Sequence, residues 1–177
     1  MKIEVRDITE KNVDEIPKLC RNCVYWENPE NFERISPEQA FEYKKSWFIK
    51  NLKNFGVCGK ILYVNGVPVA YAQFAPSSLL PQVKNYNCSS LGNPEDRIIF
   101  LSCLFVCRPE YRNKGLGSKL LTDIISTLKL HRFKGIETFA REDSPNNPSG
   151  PVHFYLKHGF QIKEKLDQNF ALMHLRI

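Results

Sequence analysis

Apolar positions change their spacing along the chain, and those changes mark out the elements. From Lys2 to Ile8, the apolar residues Ile3, Val5 and Ile8 give a weak alternation that predicts a strand. Thr9-Glu10-Lys11-Asn12 offers a helix start. Val13, Ile16, Leu19, Cys20 and Cys23 follow at helical spacing, with Pro17 among them. Pro29 and Pro37 bracket a loop. Ser36 with Gln39 forms a capping box, and Phe41, Trp47, Phe48 and Leu52 carry a second helix to about Asn54. Val57 to Val64 and Val67 to Ala75 read as a hairpin. The Asn65-Gly66 pair between them suits a two-residue turn that needs positive φ at both positions.

Pro76 to Asp96 is a long polar connection holding Pro76, Pro81 and Pro94, of a length that is usually functional or mobile. Arg97 to Cys107 is then apolar at nearly every position, as a central strand covered on both faces requires. Pro109 ends it. Gly115 to about Arg132 carries Leu116, Leu120, Leu121, Ile124, Ile125 and Leu128 as one helical stripe. Gly135 breaks that helix, and Ile136 to Ala140 reads as a short strand. Ser144 to Pro151 is turn-rich. Val152 to His158 reads as a short helix closed by Gly159, and Phe160 to Leu166 and Phe170 to Leu175 as a final strand pair. The order β, helices, βββ, α, β, α, ββ contains no repeat and describes one α/β domain over residues 1–177.

Composition narrows the class. The 42% hydrophobic fraction, with 12 Phe and 7 Tyr, excludes a disordered chain. No apolar run reaches the roughly 18 residues needed to span a bilayer. Charges at Lys2, Glu4, Arg6 and Asp7 occupy the place of a signal peptide's apolar stretch. A soluble, cytoplasmic protein with no membrane partner is the expectation. The six cysteines are then expected as reduced thiols, with Cys58, Cys103 and Cys107 packing among apolar neighbours. The net charge of +6 suits an anionic ligand, either nucleic acid or a phosphorylated cofactor, and by itself does not choose between them.

The segment Val106-Cys-Arg-Pro-Glu-Tyr-Arg-Asn-Lys-Gly-Leu-Gly-Ser118 decides more. A buried strand runs through a basic, glycine-containing turn directly into a helix. Helix starts present unpaired N–H groups and partial positive charge. Gly115 and Gly117 allow close approach to the backbone, and Arg112 and Lys114 add charge. These features make a phosphate site. The dinucleotide fingerprint would need glycine at position 120, which is Leu120, and no P-loop string occurs.

Arg112-Asn-Lys-Gly-Leu-Gly117 resembles the Arg/Gln-x-x-Gly-x-Gly/Ala pyrophosphate loop of GNAT-type N-acetyltransferases. Leu104-Phe-Val106 before it and Phe154-Tyr-Leu-Lys-His-Gly-Phe160 after it extend the likeness. The resemblance implies a GNAT fold: a mixed central sheet of six to seven strands flanked by helices. It implies acetyl-CoA as co-substrate, no metal, and a small-molecule or peptide amine as acceptor. The amides of Arg112, Asn113, Lys114, Gly115, Leu116, Gly117 and Ser118 would hold the pyrophosphate. The edge formed by Leu104, Phe105 and Val106 would receive the pantetheine arm where the central strand splays from the next. Lys119 and Arg141 are further candidate cofactor contacts. A backbone N–H near Leu104 would stabilise the oxyanion. Tyr155 matches the family tyrosine near the CoA sulfur and makes chemical sense as general acid, since a phenol of ordinary pKa about 10 is protonated at neutral pH. Glu27, Glu30 and His153 are candidate bases. Before Tyr155 the sequence departs from the family pattern, with Asn147 one residue off the usual place in a proline-rich run.

Cys20 and Cys23 form a Cys-x-x-Cys pair with no second pair to complete a zinc site. Helix packing outranks a redox role for them. Cys103 and Cys107 lie about 13 Å apart in an extended strand, too far to share a metal. In the implied fold, Tyr25, Trp26 and Glu27 border the acceptor pocket, where aromatic rings and a carboxylate suit a cationic amine. Alternatively, they anchor two helices. Two other readings remain beside the enzyme: an acyl-CoA sensor of the same fold, and a nucleic-acid-binding domain. The last lacks any reading motif, so nucleic acid is not an expected partner. Monomer and homodimer are both compatible with the chain.

Overall fold

A computed structural model describes residues 1–143 and 150–177. The strands are β1 (Ile3–Asp7), β2 (Gly59–Val64), β3 (Val67–Ala75), β4 (Ile98–Val106), β5 (Gly135–Arg141), β6 (Gln161–Lys165) and β7 (Phe170–Arg176). The helices are α1 (Lys18–Arg21), α2 (Pro37–Phe55), α3 (Leu116–Leu130) and α4 (Val152–Lys157). All seven strands form one mixed sheet in the order β1-β2-β3-β4-β5-β7-β6. Every pairing is antiparallel except β4 with β5.

Local chemistry fixes the main elements. Ser36 accepts from the Gln39 N–H while the Gln39 side chain accepts from the Ser36 N–H, and Gly56 closes α2 in the left-handed conformation. Asn65 and Gly66 both have positive φ, as the hairpin turn demands. The continuous apolar run of β4 occupies the middle of the sheet. One face of it packs Ile99, Leu101 and Leu104 under α3 and α4, in a core with Leu120, Ile124 and Tyr155. On the other face Cys103 packs with Cys20, Phe48 and Tyr71, and Phe100 packs with Trp26 and Phe139.

Two elements differ from the sequence reading. The first helix is cut at Pro17 into a short 3-10 turn (Val13–Glu15) and the single-turn α1, because a proline within a helix removes a hydrogen bond and clashes with the preceding turn. The Pro76–Asp96 connection contains three 3-10 turns and is fastened along its length to the sheet and to α2. The Glu164 carboxylate accepts from the Ser89 and Ser90 N–H groups, buried Glu137 accepts from the Gly92 N–H at 2.7 Å, and the Leu79 carbonyl accepts from the Trp47 indole.

The feature that positions the site is the parting of β4 and β5. Their pairing is confined to Ile98–Gly135, Ile99–Ile136 and Phe100–Glu137. Thr138 then donates its hydroxyl to the Leu101 carbonyl at 2.8 Å, a side chain replacing the next rung. The register of β4 against β3 slips between Gln73 and Phe74, which leaves Ser102 as a bulge, its hydroxyl donating to the Gln73 carbonyl. A bulge increases local twist and re-aims the strand beyond it.

Candidate active site

Beyond the bulge, the Cys107 N–H donates to the Val69 carbonyl of β3. By the two-residue alternation of a strand, the N–H groups of Leu104 and Val106 face the opposite way, into the gap beside β5. The edge predicted from sequence is therefore an open strand edge. The Arg112 guanidinium folds back onto it, donating to the Val106 carbonyl at 3.0 Å and lying over the Phe105 ring. Arg112 thus braces the strand end and fixes where the following loop begins.

That loop turns sharply at Asn113 (φ 58°) and Gly115 (φ 76°), both in the left-handed region, and feeds straight into the first turn of α3. Gly115 is demanded by that backbone. Gly117 is not: a Cβ there would meet only Phe154 and Leu104, at 3.6 and 3.8 Å, which is ordinary contact. The space it keeps open belongs to a cleft of about 550 Å3. Leu104, Phe105 and Val106 line one side of this cleft, Arg112, Asn113, Gly115, Gly117 and Ser118 the next, and Pro151, His153, Phe154 and Lys157 the third. Leu116 and Lys114 are not on its wall. The Leu116 side chain is in the core, and the Lys114 ammonium is exposed beside the Tyr111 ring. Ser118 is hydrogen-bonded to His158 at 2.9 Å, and burial together with the Lys157 charge lowers the His158 pKa, which keeps that ring neutral at pH 7.

Tyr155 lies behind the cleft wall. It is fully buried, its ring sits against Gly150, and it shares a side-chain hydrogen bond with Thr138 where β4 and β5 part. Burial pushes its phenol above the ordinary range, against a smaller opposing effect of that hydrogen bond. The hydroxyl therefore keeps its proton throughout the neutral range. Asn147 lies outside the described residues.

The acceptor-side candidates sit on the opposite face of the sheet. Trp26 stacks on Tyr86 and packs against Phe100 and Phe139, and the Tyr25 hydroxyl is hydrogen-bonded to that of Tyr86 at 2.9 Å. Glu27 is buried and salt-bridged to Lys44 at 2.9 Å, and it accepts from the Gln73 amide at 2.8 Å. Its second oxygen, Oε2, has no hydrogen-bond partner among the described residues. Gln73 pairs with Cys103 on β4, so this carboxylate lies across the strand from the open edge. Among the other candidates, Glu30, His153 and Lys119 are exposed, and Arg141 is held by Asp143. Among the described residues no group of three His, Cys, Asp or Glu side chains is placed to hold a metal. No helix there is long and apolar enough to cross a membrane.

Sequence reasoning missed Lys44, Gln73, Ser102 and Thr138. Lys44 reads as one more solvated helix lysine. Gln73 and Ser102 are single polar residues within apolar strands, and Thr138 follows Glu137 in β5; polar residues inside buried strands were the available signal.

Residues 61–162 match the family model of the acetyltransferase (GNAT) domain. The chain belongs to the GNAT acetyltransferase family. Solved structures agree on the GNAT fold. The PaiA N-acetyltransferase of Thermoplasma acidophilum, in complex with coenzyme A, is 15% identical over 100% of both chains, with a TM-score of 0.60. YncA of Salmonella typhimurium, a putative acetyltransferase with its cofactor acetyl-CoA, is 15% identical over 99% of this chain and 94% of that one, with a TM-score of 0.64. An N-acetyltransferase of Staphylococcus aureus Mu50 is 16% identical over 100% and 98%, with a TM-score of 0.62. No curated protein sequence matches the chain significantly. The GNAT match spans both motifs, from β2 to β6, with the parted strands between them.

Proposed function

We propose that this protein transfers the acetyl group of acetyl-CoA to a primary amine by direct attack on the thioester. The observation that carries this reading is one cleft lined by an open strand edge and a glycine-bearing helix start, with the buried Tyr155 directly behind its wall. The first turn of α3 and the left-handed turn at Asn113–Gly115 offer backbone N–H groups and partial positive charge to the pyrophosphate. The pantetheine arm adds to β4 as an extra strand would, its amides pairing with the Leu104–Val106 edge. The thioester carbonyl then lies near an N–H of that edge, which stabilises the negative oxygen formed as the amine attacks. As the C–S bond breaks, the thiolate takes the proton of Tyr155.

The amine approaches from the opposite face, where Tyr25, Trp26 and Glu27 stand over β4. With one Glu27 oxygen paired to Lys44, its second oxygen is an acceptor for an ammonium or its departing proton, and the neighbouring rings suit a cationic group. Acceptors of small-molecule or peptide size fit a site formed by one domain.

The test is release of free CoA thiol from acetyl-CoA across a panel of amino acids, polyamines, aminoglycosides and peptides. Tyr155→Phe is expected to lower kcat by about 10²–10⁴-fold, the range of general acid catalysis, while acetyl-CoA affinity changes little. Unchanged kcat with chemistry rate-limiting would remove Tyr155 from the mechanism. Tight acetyl-CoA binding without turnover on any amine would favour a sensor over an enzyme.

A further inference from the structure

In the fold Cys20 makes its sulfur contact outside the Cys-x-x-Cys pair of the sequence. Cys20 of α1 and Cys107, just past the end of β4, bring their sulfurs within 3.3 Å although 87 positions separate them. Cys103 packs in the same buried cluster as Cys20. Cys23 takes no part in this contact. None of the six cysteines is in a disulfide.

Geometry, access and reactivity favour the same pair. Closing the contact to the bond length of about 2.05 Å needs a shift of about 1.3 Å. Cys107 is half-buried and borders an open groove of about 440 Å3 shared with Pro17, Lys18, Leu19 and Arg108, which gives a small oxidant a path to the pair. Cys103 and Cys107 as donors, with the Lys44 charge nearby, hold Cys20 well below the ordinary thiol range against the effect of burial, while the contact with Cys20 and burial push Cys107 above it, so Cys20 is the thiolate of the pair.

We propose that Cys20 and Cys107 are an oxidative modification site, converted by an oxidant of the peroxide class into a disulfide that staples α1 to the end of β4. The Cys20 thiolate attacks peroxide; the O–O bond breaks, Cys20 becomes a sulfenic acid, and the departing hydroxide takes up the proton Cys20 released and leaves as water. Cys107 then attacks the Cys20 sulfur, the S–O bond breaks, and the second hydroxide takes up the proton Cys107 gives up. Two thiols and one hydrogen peroxide thus give one disulfide and two waters. The bond ties the cofactor strand, one residue past Val106, to the segment that leads into Tyr25–Glu27.

The experiment is titration of the full chain with hydrogen peroxide, followed by tryptic mapping without reductant. Cleavage after Lys18 and Arg21 separates Cys20 from Cys23, and fragmentation of the linked peptide distinguishes Cys107 from Cys103. The expected result is a crosslink between Cys20 and Cys107, reversed by dithiothreitol and retained in Cys23→Ser. The oxidised protein should melt at least about 5 °C higher, because the bond closes a long loop in the unfolded chain. Cys20→Ser and Cys107→Ser should each lose both effects, and the wild-type map stands if either variant fails to fold. A crosslink to Cys23 or Cys103, oxygen added to single thiols without a crosslink, or full recovery of free thiols after excess peroxide overturns the proposal.

Discussion

Glu27 and Lys44 form an ion pair with side chains 0% and 4% exposed, joined to Gln73 and Tyr71 by further hydrogen bonds. Removing one member of such a pair leaves the other as an uncompensated buried charge, which costs about 3–5 kcal/mol. Glu27→Gln and Lys44→Met should each lower the stability measured by urea unfolding by that order, and the double variant should recover part of the loss. A cost below about 1 kcal/mol in each single variant would mean the site is wetter than the packing indicates. Gly117 gives the opposite kind of test. Alanine fits there by ordinary contact and favours a helix by about 0.5–1 kcal/mol, so Gly117→Ala should keep or raise Tm. The same methyl intrudes on the cleft, and KM for acetyl-CoA should rise about tenfold, a loss of about 1.4 kcal/mol. A fall in Tm with KM unchanged would place the glycine's importance in the fold instead. At this scale the left-handed turn at Gly115 was legible in the sequence, because turn chemistry is local. The Glu27–Lys44 pair was not, since it exists only once α2 is laid across the sheet.

Elements were legible where their signals were local: the Ser36–Gln39 cap, the Asn65-Gly66 turn and the doubly apolar β4 all appear where the pattern places them. The Pro76–Asp96 connection was not, since its anchors are carboxylates on distant strands. Glu164 of β6 is the main one. The Ser89 N–H lowers its pKa most, helped by the Ser89 and Ser90 side chains and the Ser90 N–H, to about 2. The sign follows from the depression. The clamp is fully present above the ordinary value of 4.5 and is lost as pH falls from there through about 2. Amide hydrogen exchange at Ser89 and Ser90 should therefore accelerate, relative to the sheet, between those limits. Glu164→Gln should show fast exchange already at neutral pH. Protection that stays flat down to the acid limit would assign the docking to Glu137 and Trp47 alone.

At the scale of the molecule, β1 to β4 and β5 to β7 are two parts of a sheet joined by three residue pairs and the Thr138–Leu101 side-chain bond, and beyond Leu101 the backbone join is open. No local pattern reports how far two parallel strands stay together, so the parting of β4 and β5, where the cofactor is proposed to bind, was expected from sequence only through family likeness. A ligand bridging that gap should act on the whole fold. Binding to the folded state alone contributes about 2.7 kcal/mol at a hundredfold excess over Kd, about 5–10 °C in Tm for a chain of this size. The net charge of +6 and the basic loop at Arg112–Lys119 add a long-range attraction for the CoA phosphates that salt screens over about 10 Å at 0.1 M. Thermal unfolding with increasing acetyl-CoA should thus show Tm climbing with the logarithm of ligand concentration. The climb should shrink as sodium chloride is raised, while the Tm of the free protein moves little. Desulfo-CoA, which keeps the phosphates and most of the pantetheine arm, should reproduce most of the shift. A Tm indifferent to acetyl-CoA at any salt would mean that the parted strands do not bind the cofactor, and the proposed chemistry would fall with them.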